Sequence, residues 1–234
     1  MLYDETAVKA NIRNRDGKRI FFLDRKDTLT PSARDWLRSQ RIDIRPASEA
    51  KISEFTLPGG DTTKEKPEQM THLRGNILVP KTHPIIAYRG EIDCLQAEIL
   101  QAQLLVAPKM RQQLEEILTF TRNLIRWEVM QEPAEIETLC GLTPQQLRAH
   151  SHYPQNHYGQ AHFMPSWTDG PAMLQLNKVR CVARRAELAA VRAFYQEDGS
   201  CQREDILLLL NRISSMIYIL MIQLKAAKRK GGSI

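Results

Sequence analysis

Arg184 and Glu187 stand three residues apart in a stretch of helical periodicity and therefore share a face. A guanidinium in that place can grip a carboxylate or a phosphate, while the acid orients it or holds Mg2+ through water. A plain i, i+3 surface pair has the same spacing. Asn211 and Arg212 interrupt the apolar run from Ile206 to Leu224, and buried polar side chains must find partners, on a ligand or on a neighbouring helix. His150, His152, His157 and His162 crowd a segment rich in Tyr, Asn and Gly, where loop hydrogen bonds are favoured over metal ligation. Phe163, Met164, Pro165 and Trp167 follow as an apolar group suited to packing on a helical body. Lys81 alone reads as a solvated loop cation. Asp93, at the start of an apolar-striped helix, reads as a favourable N-terminal charge.

The 33 Lys+Arg against 27 Asp+Glu give a formal charge of +6, which suits a polyanionic partner: nucleic acid, anionic lipid or a phosphorylated small molecule. With 42% hydrophobic and 26% charged residues the chain has the balance of a soluble globular protein, and 6% aromatic residues argue against a β-sandwich. Cys94, Cys140, Cys181 and Cys201 never form a C-x-x-C pair, and no basic-then-apolar leader opens the sequence. Free thiols in a reduced cytoplasm are expected, rather than structural zinc.

These residues need elements to hold them. Residues 1–46 are expected to form a small N-terminal module: Arg19-Ile20-Phe21-Phe22-Leu23 has strand composition, Thr30-Pro31 opens a helix over Ala33 to Gln40, and Ile42-Asp43-Ile44 alternates as a second strand. Residues 47–70 read as a polar linker, and residues 71–234 as a helical bundle. Ile92, Leu95, Ile99, Ala102 and Val106 make one apolar stripe; Leu114, Leu118, Thr121, Leu124 and Ile125 make another. Thr143-Pro144 opens a short helix, residues 151–169 form a loop, and two long helices span about 171–197 and 203–229. The last is apolar enough for a membrane anchor, but Arg212 at its centre would cost ~2.5–3.5 kcal/mol on insertion. A helix at the centre of a bundle explains the pattern without that cost, so no membrane span is expected.

Thr71-His72-Leu73, Val79-Pro80-Lys81 and Arg89-Gly90-Glu91-Ile92-Asp93 resemble ATP:corrinoid adenosyltransferases, specifically the ethanolamine-utilisation branch. Leu29-Thr30-Pro31-Ser32-Ala33-Arg34 with Ile42-Asp43-Ile44 resembles that branch's N-terminal module. Arg184-Arg185-Ala186-Glu187 and Asn211-Arg212-Ile213-Ser214-Ser215 are similar to the R-R-A-E and N-R-L-S-D strings of the wider propanediol-utilisation type. The resemblance implies a mainly α fold, a five-helix bundle with a small β-α-β-like module, assembled as a homotrimer with inter-subunit sites. It implies transfer of the 5'-deoxyadenosyl group of ATP to cob(I)alamin, with Mg2+, giving adenosylcobalamin and tripolyphosphate. Ethanolamine ammonia-lyase and a reductase are the implied partners, in the cytoplasm or inside a bacterial microcompartment.

Residue by residue, the resemblance assigns Thr71 and Lys81 to the phosphates and Asn211 to the nucleotide. It pairs Asp93 with Arg184 across the subunit boundary and places Glu187 beside that arginine. Phe163, with Met164 and Trp167, becomes the apolar wedge beneath the corrin, removing the lower cobalt ligand so that cobalt(II) can be reduced. Two departures stand out. The branch's His-x11-Cys-Cys-x2-Cys metal motif has no counterpart, since residues 47–70 contain neither His nor Cys, and no metal site is expected. The wider family's T-G-D-x-G-x-T loop is missing apart from a faint echo in Gly59-Gly60-Asp61-Thr62-Thr63, and Leu188 stands where an arginine is expected. Competing readings are a basic helical protein binding nucleic acid through Arg13 to Arg19 and Lys225 to Lys230, and a catalytically silent scaffold. No stacking aromatics or helix-turn-helix pattern support the former.

Overall fold

Contacts in the computed structural model, which describes residues 1–15, 18–50 and 54–229, divide the chain into the units Met1–His83 and Pro84–Ile234. The first holds β1 (Leu2–Tyr3), α1 (Glu5–Ala10), β2 (Arg13–Arg15), β3 (Lys18–Leu23), β4 (Thr28–Leu29), α2 (Pro31–Ser39) and β5 (Asp43–Pro46). Thr30 accepts the Ala33 N–H and Pro31 occupies the first turn, so α2 starts where the sequence signals it. Its Ala33 and Leu37 pack with Val8, Phe21, Leu29 and Ile42. β3 and β5 pair in parallel, Phe21 opposite Ile44, closing the expected β-α-β piece.

The stretch expected to be a linker differs from that expectation. It carries β6 (Phe55–Thr56) and β7 (Thr62–Thr63), which join β8 (Met70–Arg74) and β9 (Ile77–Pro80) in a sheet of order β7-β6-β9-β8. Gly59 and Gly60, at φ +101° and +96°, make the turn between β6 and β7, so the glycine pair echoing a phosphate loop is a hairpin turn. The chain divides at His83/Pro84, not after residue 70. Two-residue strands carry no readable period, and their composition is that of a polar loop.

The second unit is helical: α3 (Pro84–Gln103), α4 (Pro108–Met130), α5 (Pro144–His152), α6 (Pro154–Tyr158), α7 (Pro171–Phe194) and α8 (Glu204–Arg229). α3 packs on α4 and α7, and α8 on α7, α5, α6 and α4. Ile92, Leu95, Ile99 and Ala102 are fully buried, as are Leu114, Thr121 and Leu124. α8 is the one described helix long and apolar enough to cross a membrane, but its buried positions from Ile206 to Leu224 go round the helix, and neighbouring helices cover them. Part of the expected 151–169 loop is helical, in the last turn of α5 and in α6. Asp93 is corrected too: α3 begins at Pro84, so this exposed carboxylate lies mid-helix, beyond reach of the N-terminal dipole.

α3 and α4 are joined by a buried ion pair. Glu128 Oε2 accepts from Arg89 at 2.8 Å (Nε) and 2.7 Å (NH2), and the Glu128 side chain is fully shielded from solvent. Burial, reinforced by Glu128, holds the neighbouring Tyr88 phenol protonated far above its ordinary range. The Glu128 carboxylate is fully shielded, so Glu128→Gln, which removes the charge that balances Arg89 there, should destabilise the bundle by about 3–5 kcal/mol. Urea unfolding with an unchanged m-value checks this; a loss under about 1 kcal/mol would contradict it.

Candidate active site

Polar residues recur at helical spacing on two neighbouring helices: Arg180, Arg184 and Glu187 on α7, and Asn211, Ser214, Ser215 and Tyr218 on α8. Asn211 joins the two rows. Its Nδ2 donates to Glu187 Oε1 at 3.1 Å, and its Oδ1 accepts from Arg212 NH2 at 2.9 Å. The Ser214 and Ser215 hydroxyls both donate to the Asn211 carbonyl at 3.0 Å. Arg184, Asn211, Ser214 and Ser215, with Ser151 and His152, line a cleft of about 260 Å³.

A second cleft, of about 740 Å³, is lined by Phe163, Met164, Pro165, Asn177, Cys181 and Met221. His162, Arg180 and Tyr218 line both clefts and so form a shared wall. The Arg180 guanidinium lies 5.5 Å from the Tyr218 ring centre, and its buried Nε has no hydrogen-bond partner among the described residues. His162 Nε2 is 3.1 Å from the His152 carbonyl and Nδ1 is 2.9 Å from the Tyr218 hydroxyl. A carbonyl only accepts, so in the neutral ring Nε2 carries the proton and the Tyr218 hydroxyl donates to Nδ1. The result is one rigid wall with a polar, cationic cleft on one side and a larger cleft with an apolar lip on the other.

The structure therefore brings Arg184 and Asn211 to one cleft, with Glu187 joined to it through Asn211, and Phe163 and Met164 to the other. Trp167, on the 3-10 turn Trp167–Asp169, is 82% exposed and lines neither. Asp93 and Arg184 are both exposed and neither is in an ion pair among the described residues, whereas Glu91 and Arg185 pair at 2.6 Å. Thr71 and Lys81 belong to the N-terminal unit. The β8–β9 register sets Thr71 opposite Val79, and the Lys81 N–H donates to the Gln69 carbonyl, so Thr71 and Lys81 share one face of the hairpin. Lys81 Nζ is 3.0 Å from the exposed Glu68 carboxylate and, by its hydrogen bond and charge, lowers that group's pKa. Such an exposed pair contributes little to stability.

The histidines are held by local contacts. His150 stacks on His157 with ring centres 3.7 Å apart and meets the Tyr158 hydroxyl at 2.8 Å; burial, and then His157, lower its pKa. Among the described residues no group of three or more His, Cys, Asp or Glu side chains is placed to hold a metal. Arg180 and Tyr218 escaped sequence reasoning, although Arg180 lies one turn before Arg184 and Tyr218 two turns after Asn211. Extending each motif along its helix face would have found them.

The basic end of α8 is engaged as well. Asp169 is buried: its Oδ2 accepts the Ser166 N–H at 2.9 Å, its Oδ1 accepts from Lys225, and its carbonyl accepts from Lys228. Arg229 reaches Gln160 Oε1 at 3.3 Å. These side chains tie down the segment carrying Phe163 and are not free for a polyanion; Lys230 lies outside the described residues, as do Asp16 and Gly17 of the Arg13–Arg19 run.

Residues 61–224 match the family model described as cobalamin adenosyltransferase. The corrinoid adenosyltransferase EutT of Salmonella typhimurium LT2 is 29% identical over 241 residues, covering 93% of this chain and 90% of that protein. EutT of Escherichia coli K12 is 27% identical with the same coverage. Among solved structures, a variant PduO-type ATP:corrinoid adenosyltransferase from Lactobacillus reuteri, complexed with cobalamin and ATP, is 20% identical with a TM-score of 0.48, covering 67% of this chain and 86% of that one.

The Lys225 hydrogen bond, followed by that of the Ser166 N–H, lowers the Asp169 carboxyl pKa below its unfolded value. A lowered folded pKa means stabilisation that is complete above the unfolded pKa of about 3.9 and lost as pH falls through the folded one. Asp169→Asn should therefore lower Tm at neutral pH, with the gap to wild type closing in acid. A Tm difference that stays constant down to about pH 3 would contradict the ion pair.

Proposed function

The chain belongs to the cobalamin adenosyltransferase family, and from that premise we propose that it transfers the 5'-deoxyadenosyl group of ATP to cob(I)alamin, yielding adenosylcobalamin and tripolyphosphate. The observation that carries the reading is the pair of clefts sharing the His162–Arg180–Tyr218 wall. Group transfer requires both substrates to be held with reacting atoms in contact, and adjoining clefts of different chemistry suit a polyanionic nucleotide and a large corrinoid.

In this reading cobalt(I) supplies the electron pair that bonds to C5' of ATP, the C5'–O bond breaks, and the tripolyphosphate leaves with that bond's electrons. Fixed cations placed beforehand favour that departure. Arg184 and Arg180 supply them from α7, and Asn211, locked by Glu187 and Arg212, orients the nucleotide. Mg2+ would sit beside the phosphates, where the Glu187 carboxylate offers the hard oxygen it prefers, reached through water. Lys81 and Thr71 receive phosphate contacts from their place in the V-P-K and T-H-L strings. Phe163, with Met164, is the side chain pressed beneath the corrin. Asp93 and Arg184, both exposed and in no ion pair among the described residues, are assigned to each other across the boundary of a homotrimer, with α3, α4, α5, α7 and α8 as its five-helix bundle. The resemblance to the ethanolamine branch extends the reading to ethanolamine ammonia-lyase as client, a reductase as electron source, and a cytoplasmic or microcompartment setting.

Anaerobic mixing with ATP, Mg2+ and chemically reduced cob(I)alamin should give the absorbance change of cobalt–carbon bond formation; a protein that binds both substrates without that change would overturn the reading. Arg184→Ala and Asp93→Ala should each damage turnover severely, with the double variant far less than additively worse, as for partners acting as one unit. Losses that simply add would dissolve the pair. Lys81→Ala should raise KM for ATP and lower kcat together, since its charge acts on bound phosphates and more strongly on departing ones; unchanged ATP kinetics would remove that role.

A further inference from the structure

We propose that Lys225 and Asp169 form a latch that positions Phe163 in the larger cleft, an inference resting on the reading of that cleft as the corrinoid side. Phe163 is half-buried between two partners. Its ring is stacked over Tyr218 with centres 6.5 Å apart, and the Lys225 ammonium lies 5.3 Å from its centre. The same ammonium donates to Asp169 Oδ1. One cation thus holds the ring and the carboxylate together, and the carboxylate neutralises a charge that a lone half-buried lysine would keep in water.

Asp169 is itself fixed. Its second oxygen accepts the Ser166 N–H and closes the 3-10 turn, and its carbonyl accepts from Lys228. Gly170 follows at φ +82°, turning the chain into α7, and a Cβ there would stand 3.3 Å from Lys228 Nζ. The segment from Phe163 to Gly170 is therefore pinned at its C-terminal end by a buried carboxylate, and the ammonium bound to that carboxylate is the group that touches the ring at the other end. Lys225 is two turns beyond Tyr218 on α8, so one helix sets both surfaces between which the ring sits. Lys225 and Asp169 are positioning residues. Their loss should act where the ring acts, on displacement of the lower cobalt ligand in cob(II)alamin, and leave the nucleotide cleft alone.

The test uses the full chain with ATP and Mg2+, comparing adenosylation that starts from cob(II)alamin plus reductant with adenosylation that starts from cob(I)alamin, alongside the electron paramagnetic resonance signal of four-coordinate cob(II)alamin. Lys225→Met and Asp169→Asn should lower the ratio of the two activities about fivefold, the scale of one lost cation–π contact, with KM for ATP unchanged. Lys225→Arg, which keeps the charge and the hydrogen bond, should restore the ratio and the signal. Phe163→Ala is the control. If it lowers the ratio while Lys225→Met and Asp169→Asn do not, the latch is refuted and the corrinoid reading stands. If Phe163→Ala also leaves ratio and signal untouched, the corrinoid reading fails and the latch with it. Equal loss of both activities in the latch variants, with the ratio unchanged, would reduce the contact to ordinary structure and overturn the proposal.

Discussion

Other helices enclose most of α8, so the polar side chains it buries need partners inside the protein, and among the described residues only Arg212 Nε on this helix is buried without one. Asn211 meets this with Glu187 on one side and Arg212 on the other, and its carbonyl accepts both following serine hydroxyls. An apolar helix could slide against α7 by a turn at modest cost. One carrying Asn211 cannot, because Glu187 is the group on α7 that receives its amide. The register of the two longest helices is thereby fixed, and with it the place where Arg180 and Arg184 face Ser214, Ser215 and Tyr218.

From that register the rest of the site follows. Tyr218 comes to stand under Arg180 and against His162, so the wall between the clefts is built from both helices and from the segment between α6 and α7. The larger cleft receives Phe163 and Met164 because that segment is held down at Asp169 by the end of α8. The polar face of α8 orders the smaller cleft and its basic terminus orders the larger. Between them lies the contact at which an adenosyl group would change hands.

Much of this was legible in the sequence where a local rule applies. Thr30-Pro31 marked α2 because capping and a fixed φ act within one turn, and the stripes of α3 and α4 were visible because burial repeats with the helix period. The pattern failed where structure is short or distant. β6 and β7 have two residues each and owe their pairing to a hairpin turn and to β9, some 20 residues on. Asp93 reads as lying near a helix start only when the stripe is begun at Ile92; Ile85 and Tyr88 continue the same three-and-four spacing back to Pro84, and both pack in the core. Lys225 and Lys228 read as a charge run, since nothing in their own neighbourhood reveals a carboxylate 56 residues earlier. Arg184, Glu187 and Asn211 stand out in the sequence as residues, but only folding brings Arg184 and Asn211 to one cleft and joins Glu187 to Asn211.

On the proposed reading, the polar contact between α7 and α8 binds the nucleotide. Calorimetric titration of the wild type and Asn211→Ala with ATP and Mg2+, in the absence of corrinoid, addresses it without relying on turnover. Affinity should weaken about tenfold or more in the variant, because the ligand loses a donor and Glu187 is left without the amide that orders it. Equal affinity in the two proteins, at similar thermal stability, would show that Asn211 only sets helix register and that the nucleotide binds elsewhere.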